Sequence, residues 1–145
     1  MITELFSNPF SFFIGMLGLL IAVTIHEFSH AFVADRLGDP TARLMGRVTL
    51  NPLAHLDPIG TLAILLVGFG WGKPVPFDPF NLANPKRDAA LISLAGPASN
   101  IILAVILSII IRFVSAPVFH LIAPVIYINV MLALFNLIPV VPLDG

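Results

Sequence analysis

Long apolar runs alternate with short polar, proline-rich stretches along this chain. Phe10 to Ile25 is interrupted only by Ser11 and Thr24. The helical pattern runs on through His26 to Ala34, and Asp35, Arg36 and Gly38 end it, with Gly38 placed just past a helix C-terminus. Phe10 to Ala34 predicts about 37 Å of helix, enough to cross a bilayer with some tilt. Gly15 and Gly18 give it a smooth face for another helix. Asp39 to Pro58 is polar and broken by Pro40, Pro52 and Pro58, and Arg47 to Leu50 reads as a short strand. Ile59 to Phe69 is apolar but makes only about 16 Å of helix, too short to span alone. Trp71 to Asp88 is again polar, with Pro74, Pro76, Pro79 and Pro85. Ala89 to Ile111 is a second clear span and contains Gly96-Pro97 and Asn100. Leu121 to Leu137 begins a third, whose apolar stretch continues to Leu143, with Pro139 and Pro142 breaking its helix near the end.

Charge placement orders these segments. Loop 35–58 holds Arg36, Arg43 and Arg47, and loop 71–88 holds Lys73, Lys86 and Arg87. Positive loops favour the cytoplasmic side. If Ile59–Phe69 crossed the bilayer, the two loops would lie on opposite sides. If it is re-entrant, both lie inside. Length and charge favour the re-entrant reading over a fourth span. The expected fold class is an all-α polytopic membrane protein. It has three spanning helices, a short re-entrant or fourth hydrophobic segment, and short extended or β pieces in the loops. Met1 to Pro9 carries Glu4 and no Lys or Arg, so the basic start of a cleavable signal is missing, and the first span is read as part of the mature fold.

Composition narrows the function classes. Of 145 residues, 58% are hydrophobic and 10% charged, against about 25% charged in soluble domains. A water-soluble enzyme and a disordered chain are excluded. Seven Lys+Arg against eight Asp+Glu make no basic stripe, so no nucleic acid is expected as a partner. There is no cysteine, hence no disulfide and no thiolate metal ligand. Thirteen prolines and ten glycines are many for plain helical rods and point to broken helices and re-entrant backbone.

The candidate chemistry is concentrated in His26-Glu27-Phe28-Ser29-His30, which reads H-E-x-x-H. Positions i and i+4 lie one turn apart on one helix face, so two imidazoles can bind one metal. Glu27 lies about 100° round the helix from His26, close enough to act on a water at that metal. The bland alternative is a His/Glu cluster satisfied by polar neighbours or held in the headgroup layer. Burial in an apolar helix, where ionisable groups are expensive and usually functional, weighs against it.

Catalytic zinc normally takes three protein ligands and keeps one position open. The remaining candidates are His55, His120 and the carboxylates, among which Asp144 stands out. It follows Pro139 and Pro142 at the end of the last apolar segment, where freed backbone is tolerated only against a buried cavity. With a re-entrant 59–69, the first and third spans both run inward and bring His26, His30 and Asp144 to the same side. With a fourth span, Asp144 would end opposite the histidines.

These motifs resemble the site-2 proteases, the intramembrane zinc metalloproteases, over nearly the whole chain. His26-Glu27-Phe28-Ser29-His30 is similar to the family's metal motif. Asn136, Pro139, Pro142, Leu143, Asp144 and Gly145 are similar to its second motif, whose aspartate is the third zinc ligand. Gly96-Pro97-Ala98-Ser99-Asn100 resembles its G-P-x-x-N element. Gly38-Asp39-Pro40-Thr41-Ala42, Gly46-Arg47, the run Leu50 to Gly60 and Lys73-Pro74-Val75-Pro76 resemble a compact bacterial and archaeal branch without a PDZ domain. Relatives continue past the Asp-Gly as helix, so residues 1–145 are expected to be a single membrane-embedded core, truncated after the third ligand.

The resemblance implies a zinc endopeptidase with one Zn2+ per chain, cutting peptide bonds in or near transmembrane segments of membrane proteins. His26, His30 and Asp144 would bind zinc, Glu27 would serve as the base, and Asn136 and Asn100 would hold substrate or the developing oxyanion. Lys73, Pro74 and Pro76 offer a strand-like edge for an unwound substrate. The expected setting is the cell membrane of a prokaryote, multi-pass, with the active site towards the cytoplasm. The bilayer and transmembrane substrates are the expected partners. The oligomeric state is left open, a homo-oligomer included. The competing function is a membrane protein that binds or moves a metal without hydrolysis, which would not need Glu27 as a base.

Overall fold

The structure, a computed structural model, describes residues 2–68 and 70–138. Among the described residues six α-helices follow one another: α1 (Ile2–Ser7), α2 (Pro9–Arg36), α3 (Thr41–Leu44), α4 (Pro58–Val67), α5 (Pro85–Ile110) and α6 (Ala116–Leu137). Three of them, α2, α5 extended by a 3-10 turn to Phe113, and α6, are long and apolar enough to cross a membrane. The fold is all-α and polytopic, as the hydrophobic runs predict.

Local signals set the helix ends. Asn8 caps α2, its side-chain oxygen accepting the Ser11 N–H at 3.2 Å, and Pro9 pre-sets the first turn. Gly38, at φ 107°, turns the chain just past α2. Each span begins earlier than its apolar run: α5 at Pro85 rather than Ala89, and α6 at Ala116 rather than Leu121. Asn84 with Pro85, and Ser115 with Pro117, supply starts in polar sequence, and hydropathy alone does not register them. Helix α1 lies outside every apolar run and was not expected.

Helices α2, α5 and α6 pack against one another. Gly18 permits the close approach of α2 to α6, since a methyl there would lie 3.1 Å from Ile128 Cδ1 and 3.3 Å from Val125 Cγ2. Gly15 meets no such neighbour. The bundle reverses the polarity of a soluble protein. Asn100 and Asn129 are fully buried while Tyr127 is 65% exposed and Phe13 63%. Such an exterior suits lipid, and the buried amides must then satisfy one another.

The short segment doubles back. Asp57 caps α4 by accepting the Gly60 N–H at 2.7 Å, and Gly68, at φ 81°, ends the helix after about 15 Å. The return leg lies directly against the first turn: a Cβ on Gly60 would collide with the Trp71 carbonyl, and one on Gly70 with the Gly60 carbonyl. Leu56 and Gly72 form an antiparallel bridge. The two flanking loops are bonded together at one end of the bundle. Asp39 accepts the Asp78 N–H at 2.7 Å and the Asn81 amide at 2.8 Å. Arg47 donates to the carbonyls of Lys73 and Pro74.

One local expectation is corrected. Arg47 to Leu50 is not a strand. The Arg47 N–H closes a turn onto the Ala42 carbonyl at 2.8 Å, and residues 48–49 bend. The extended backbone lies instead in the return leg, where Lys73 N–H donates to the His55 carbonyl at 2.8 Å.

Candidate metal centre

His26 and His30 lie in the second half of α2, 3% and 6% exposed, with ring centroids 4.7 Å apart and planes at 84°. Each ring is held by its Nδ1. The His30 Nδ1–H donates to the Ile92 carbonyl of α5 at 2.6 Å. A carbonyl only accepts, so Nδ1 carries a proton, and in the neutral ring Nε2 then keeps the lone pair. His26 Nδ1 faces Asn100 Oδ1 at 2.6 Å. The Asn100 Nδ2 donates to the Ala22 carbonyl at 3.0 Å and to Asn129 Oδ1 at 2.7 Å. Ala22 therefore fixes the Asn100 amide with its oxygen towards His26, which must donate from Nδ1. Both rings take the tautomer used by metal-binding histidines whose other nitrogen is held by the protein.

Both Nε2 atoms lie close to the side of Gly96 where a side chain would begin. A Cβ there would fall 2.7 Å from His26 Nε2 and closer still to His30 Nε2. Any residue other than glycine would fill the space in front of both lone pairs. The two imidazoles, their tautomers and this cradle fit a zinc ion. Among the described residues no third His, Cys, Asp or Glu completes a ligand set. Asp144, the expected third ligand, lies outside the described residues. Helix α6 runs in the direction of α2, with Val125 and Ile128 against Gly18 and Asn129 deeper at Asn100. Its Leu137 end therefore approaches the depth of the histidines.

Glu27 faces the return leg of the α4 hairpin. A Cβ on Gly72 would lie 3.4 Å from Glu27 Oε1 and 3.3 Å from the His55 carbonyl, so glycine brings this backbone against the carboxylate. Arg47, 4% exposed, is near enough for its charge to be felt: burial lowers the guanidinium pKa and the Glu27 carboxylate pushes it back up.

The other sequence candidates fall elsewhere. Asn100, the candidate to hold substrate or oxyanion, is fully buried, with both amide hydrogens engaged and Oδ1 against His26 Nδ1. Asn136 lies about two turns past Asn129 on the same face of α6, half-buried, its amide donating to the Leu132 carbonyl at 2.9 Å. His55 is fully buried in the loop, its Nε2–H donating to the Thr49 carbonyl at 2.7 Å. Burial, with the Arg47 charge, holds its pKa below the usual histidine range against the pull of Thr49. His120 is exposed in the first turns of α6, stacked edge-on to Phe119 and about 13 Å along the helix from Asn129. Asn129 was missed. Its only sequence signal is an amide inside an apolar span, the signal that picked out Asn100.

A histidine pair with an adjacent carboxylate, sunk in a bundle that buries amides and turns an apolar face outward, defines a polytopic membrane protein with a candidate metal centre in its interior. Residues 14–119 match Peptidase family M50, and the chain belongs to that family, the site-2 proteases. It is 42% identical over 138 residues to "Putative zinc metalloprotease YwhC" of Bacillus subtilis (strain 168), covering 88% of this chain and 63% of that protein. It is 34% identical over 143 residues to "Putative zinc metalloprotease Rip2" of Mycolicibacterium smegmatis, covering 92% and 55%. It is 28% identical over 129 residues to "Zinc metalloprotease MJ0392" of Methanocaldococcus jannaschii, covering 88% and 30%. The chain thus spans less than two thirds of the length of these relatives. No solved structure matches it.

Proposed function

We propose that this chain is the catalytic core of an intramembrane zinc endopeptidase, one zinc per chain, acting on peptide bonds in or near transmembrane segments. The observation that carries the reading is the space at Gly96, open to the Nε2 atoms of two histidines whose Nδ1 protons are tied elsewhere. His26 and His30 would hold the metal, with Asp144 as third ligand. Bound zinc supplies a Lewis acid for the scissile carbonyl and lowers the pKa of water to about 7.

The remaining work belongs to the protein's own groups. Glu27 takes a proton from the attacking water and returns it to the leaving amine. Asn100 orients His26. Asn136, on the same face of α6 towards the loop end, is the amide suited to hold the substrate backbone. The substrate is a transmembrane helix that unwinds locally, because a helix hides its carbonyls within its own hydrogen bonds. The basic residues of both loops favour a site facing the cytoplasm of a prokaryotic cell.

The test is Glu27→Gln in the full-length protein. It should retain zinc, measured by elemental analysis, while cleavage of a membrane-embedded substrate falls by about 10²–10⁴-fold. Retained zinc with undiminished cleavage would remove Glu27 from the chemistry. Wild-type protein without zinc would remove the metal centre itself.

A further inference from the structure

Four hydrogen bonds form a directional chain across all three spans. It starts at a backbone group of α6: the Val125 carbonyl accepts the Asn129 Nδ2–H at 2.8 Å. That fixes the Asn129 amide, so the atom it presents to α5 is Oδ1. Oδ1 accepts from Asn100 Nδ2 at 2.7 Å. The other hydrogen of the same Nδ2 goes to the Ala22 carbonyl of α2 at 3.0 Å. Asn100 is then left with Oδ1 for His26, 2.6 Å away. Both asparagines are fully buried. Because the Val125 and Ala22 carbonyls cannot donate, neither asparagine amide can flip without setting two acceptors against each other.

From this we infer that Asn129 is a positioning residue for the metal centre. It acts through Asn100 to hold the His26 ring with Nε2 towards Gly96, and it ties the depth of α6 to the histidine helix. The inference rests on the zinc-site reading above and adds a residue that touches neither metal nor substrate. Its physical basis is the second amide hydrogen of Asn100. Without Asn129 that hydrogen is a buried donor with no acceptor, which is costly in an apolar surround. The Asn100 amide would then shift towards another acceptor, and the His26 ring would lose its fixed partner. Groups that orient metal-binding histidines in this way typically change metal affinity by 10–100-fold when removed.

The experiment measures zinc affinity of the full-length protein in detergent by competition with a chelator. Asn129→Leu, with the same branching but unable to accept, should bind zinc about tenfold more weakly. Asn129→Asp should restore affinity, since its carboxyl, neutral in this surround, accepts from Asn100 and donates to Val125. In an Asn100→Leu background, Asn129→Leu should cause no further loss. A tenfold loss that is equally large in that background would overturn the relay, and so would wild-type affinity in Asn129→Leu. A second measurement needs no variant. Nitrogen-15 NMR of His26 in the zinc-free wild-type protein should show the proton on Nδ1, and a proton on Nε2 instead would overturn the proposed chain. If wild-type protein binds no zinc, the zinc-site reading fails first, and that outcome is distinct from failure of Asn129 alone.

Discussion

The carboxylate of Asp39 accepts the backbone N–H of Asp78 at 2.7 Å, so the residues that leave the first span are bonded to those that lead into the second. The α4 hairpin between them begins and ends at the same end of the bundle. Cysteines placed singly at Leu44, 79% exposed, and Phe80, 97% exposed, should therefore react with an impermeant thiol reagent from one and the same side of the membrane. The parent chain has no cysteine to confuse the result. Labelling of the two sites from opposite sides would mean that α4 crosses.

Asp39 also makes this junction sensitive to acid. Burial raises its pKa, but bonds from the Thr41 hydroxyl, the Asn81 amide and the Asp78 and Thr41 N–H groups together hold it below its ordinary value of 3.8. A carboxylate with a depressed folded-state pKa adds stability that is complete above 3.8 and is lost as pH falls through the lower folded value. Asp39→Asn should cost about 2 kcal/mol near neutral pH. Its deficit against wild type should shrink below that range. Thermal unfolding in detergent across pH would show a constant difference if the charge were irrelevant.

Gly96→Ala should empty the metal centre with every ligand intact. The new methyl would overlap the approach to both Nε2 atoms, and overpacking of this kind costs about 1–3 kcal/mol when neighbours must shift. Zinc affinity should drop by at least tenfold while helix content by circular dichroism is unchanged. Full zinc in Gly96→Ala would show that the metal sits elsewhere.

Arg47 fastens the return leg beside Glu27 by donating to two successive carbonyls, those of Lys73 and Pro74. Lysine cannot make that planar two-carbonyl contact. Arg47→Lys should therefore behave much like Arg47→Met. Both should expose the 71–76 segment to limited proteolysis and lower cleavage by tenfold or more. A lysine variant equal to wild type would show that charge alone suffices.

Among the carboxylates, Asp57→Ala and Asp78→Ala should keep zinc and cleavage. Each caps a local turn, accepting from Gly60 and Phe80 respectively, and loss of a cap costs about 1 kcal/mol. Asp144→Ala, in a chain extended past Gly145, should weaken zinc binding and abolish cleavage. Unaltered zinc affinity there would leave the third ligand to be found among other residues.

How far the sequence carried depends on whether a feature is local. The spans, the cap at Gly38 and the histidine pair are written in neighbouring residues, where hydropathy and helical spacing act. The shortness of 59–69 implied a return, and the Gly60 and Gly70 contact supplies its geometry. Gly96 stood out only through the resemblance of its motif and Asn129 not at all, because their places at the histidines come from packing α5 and α6 against α2. An amide or a glycine in an apolar run does not name its partner. Val48 and Thr49 favour a strand, but the turn closed by Arg47 onto Ala42 and the burial of its guanidinium outweigh that preference.

Gly60 and Gly70 let the two legs of the hairpin touch backbone to backbone. A hairpin of about 15 Å reaches only half of a hydrocarbon layer roughly 30 Å thick. The other half is left to the apolar flanks of three long helices. Water for the proposed reaction at His26 and His30 would then arrive from the loop end. Such a protein would act as a well rather than a pore. Peptide hydrolysis inside it would leave the bilayer an electrical insulator, because the proton taken from the water would leave on the product amine.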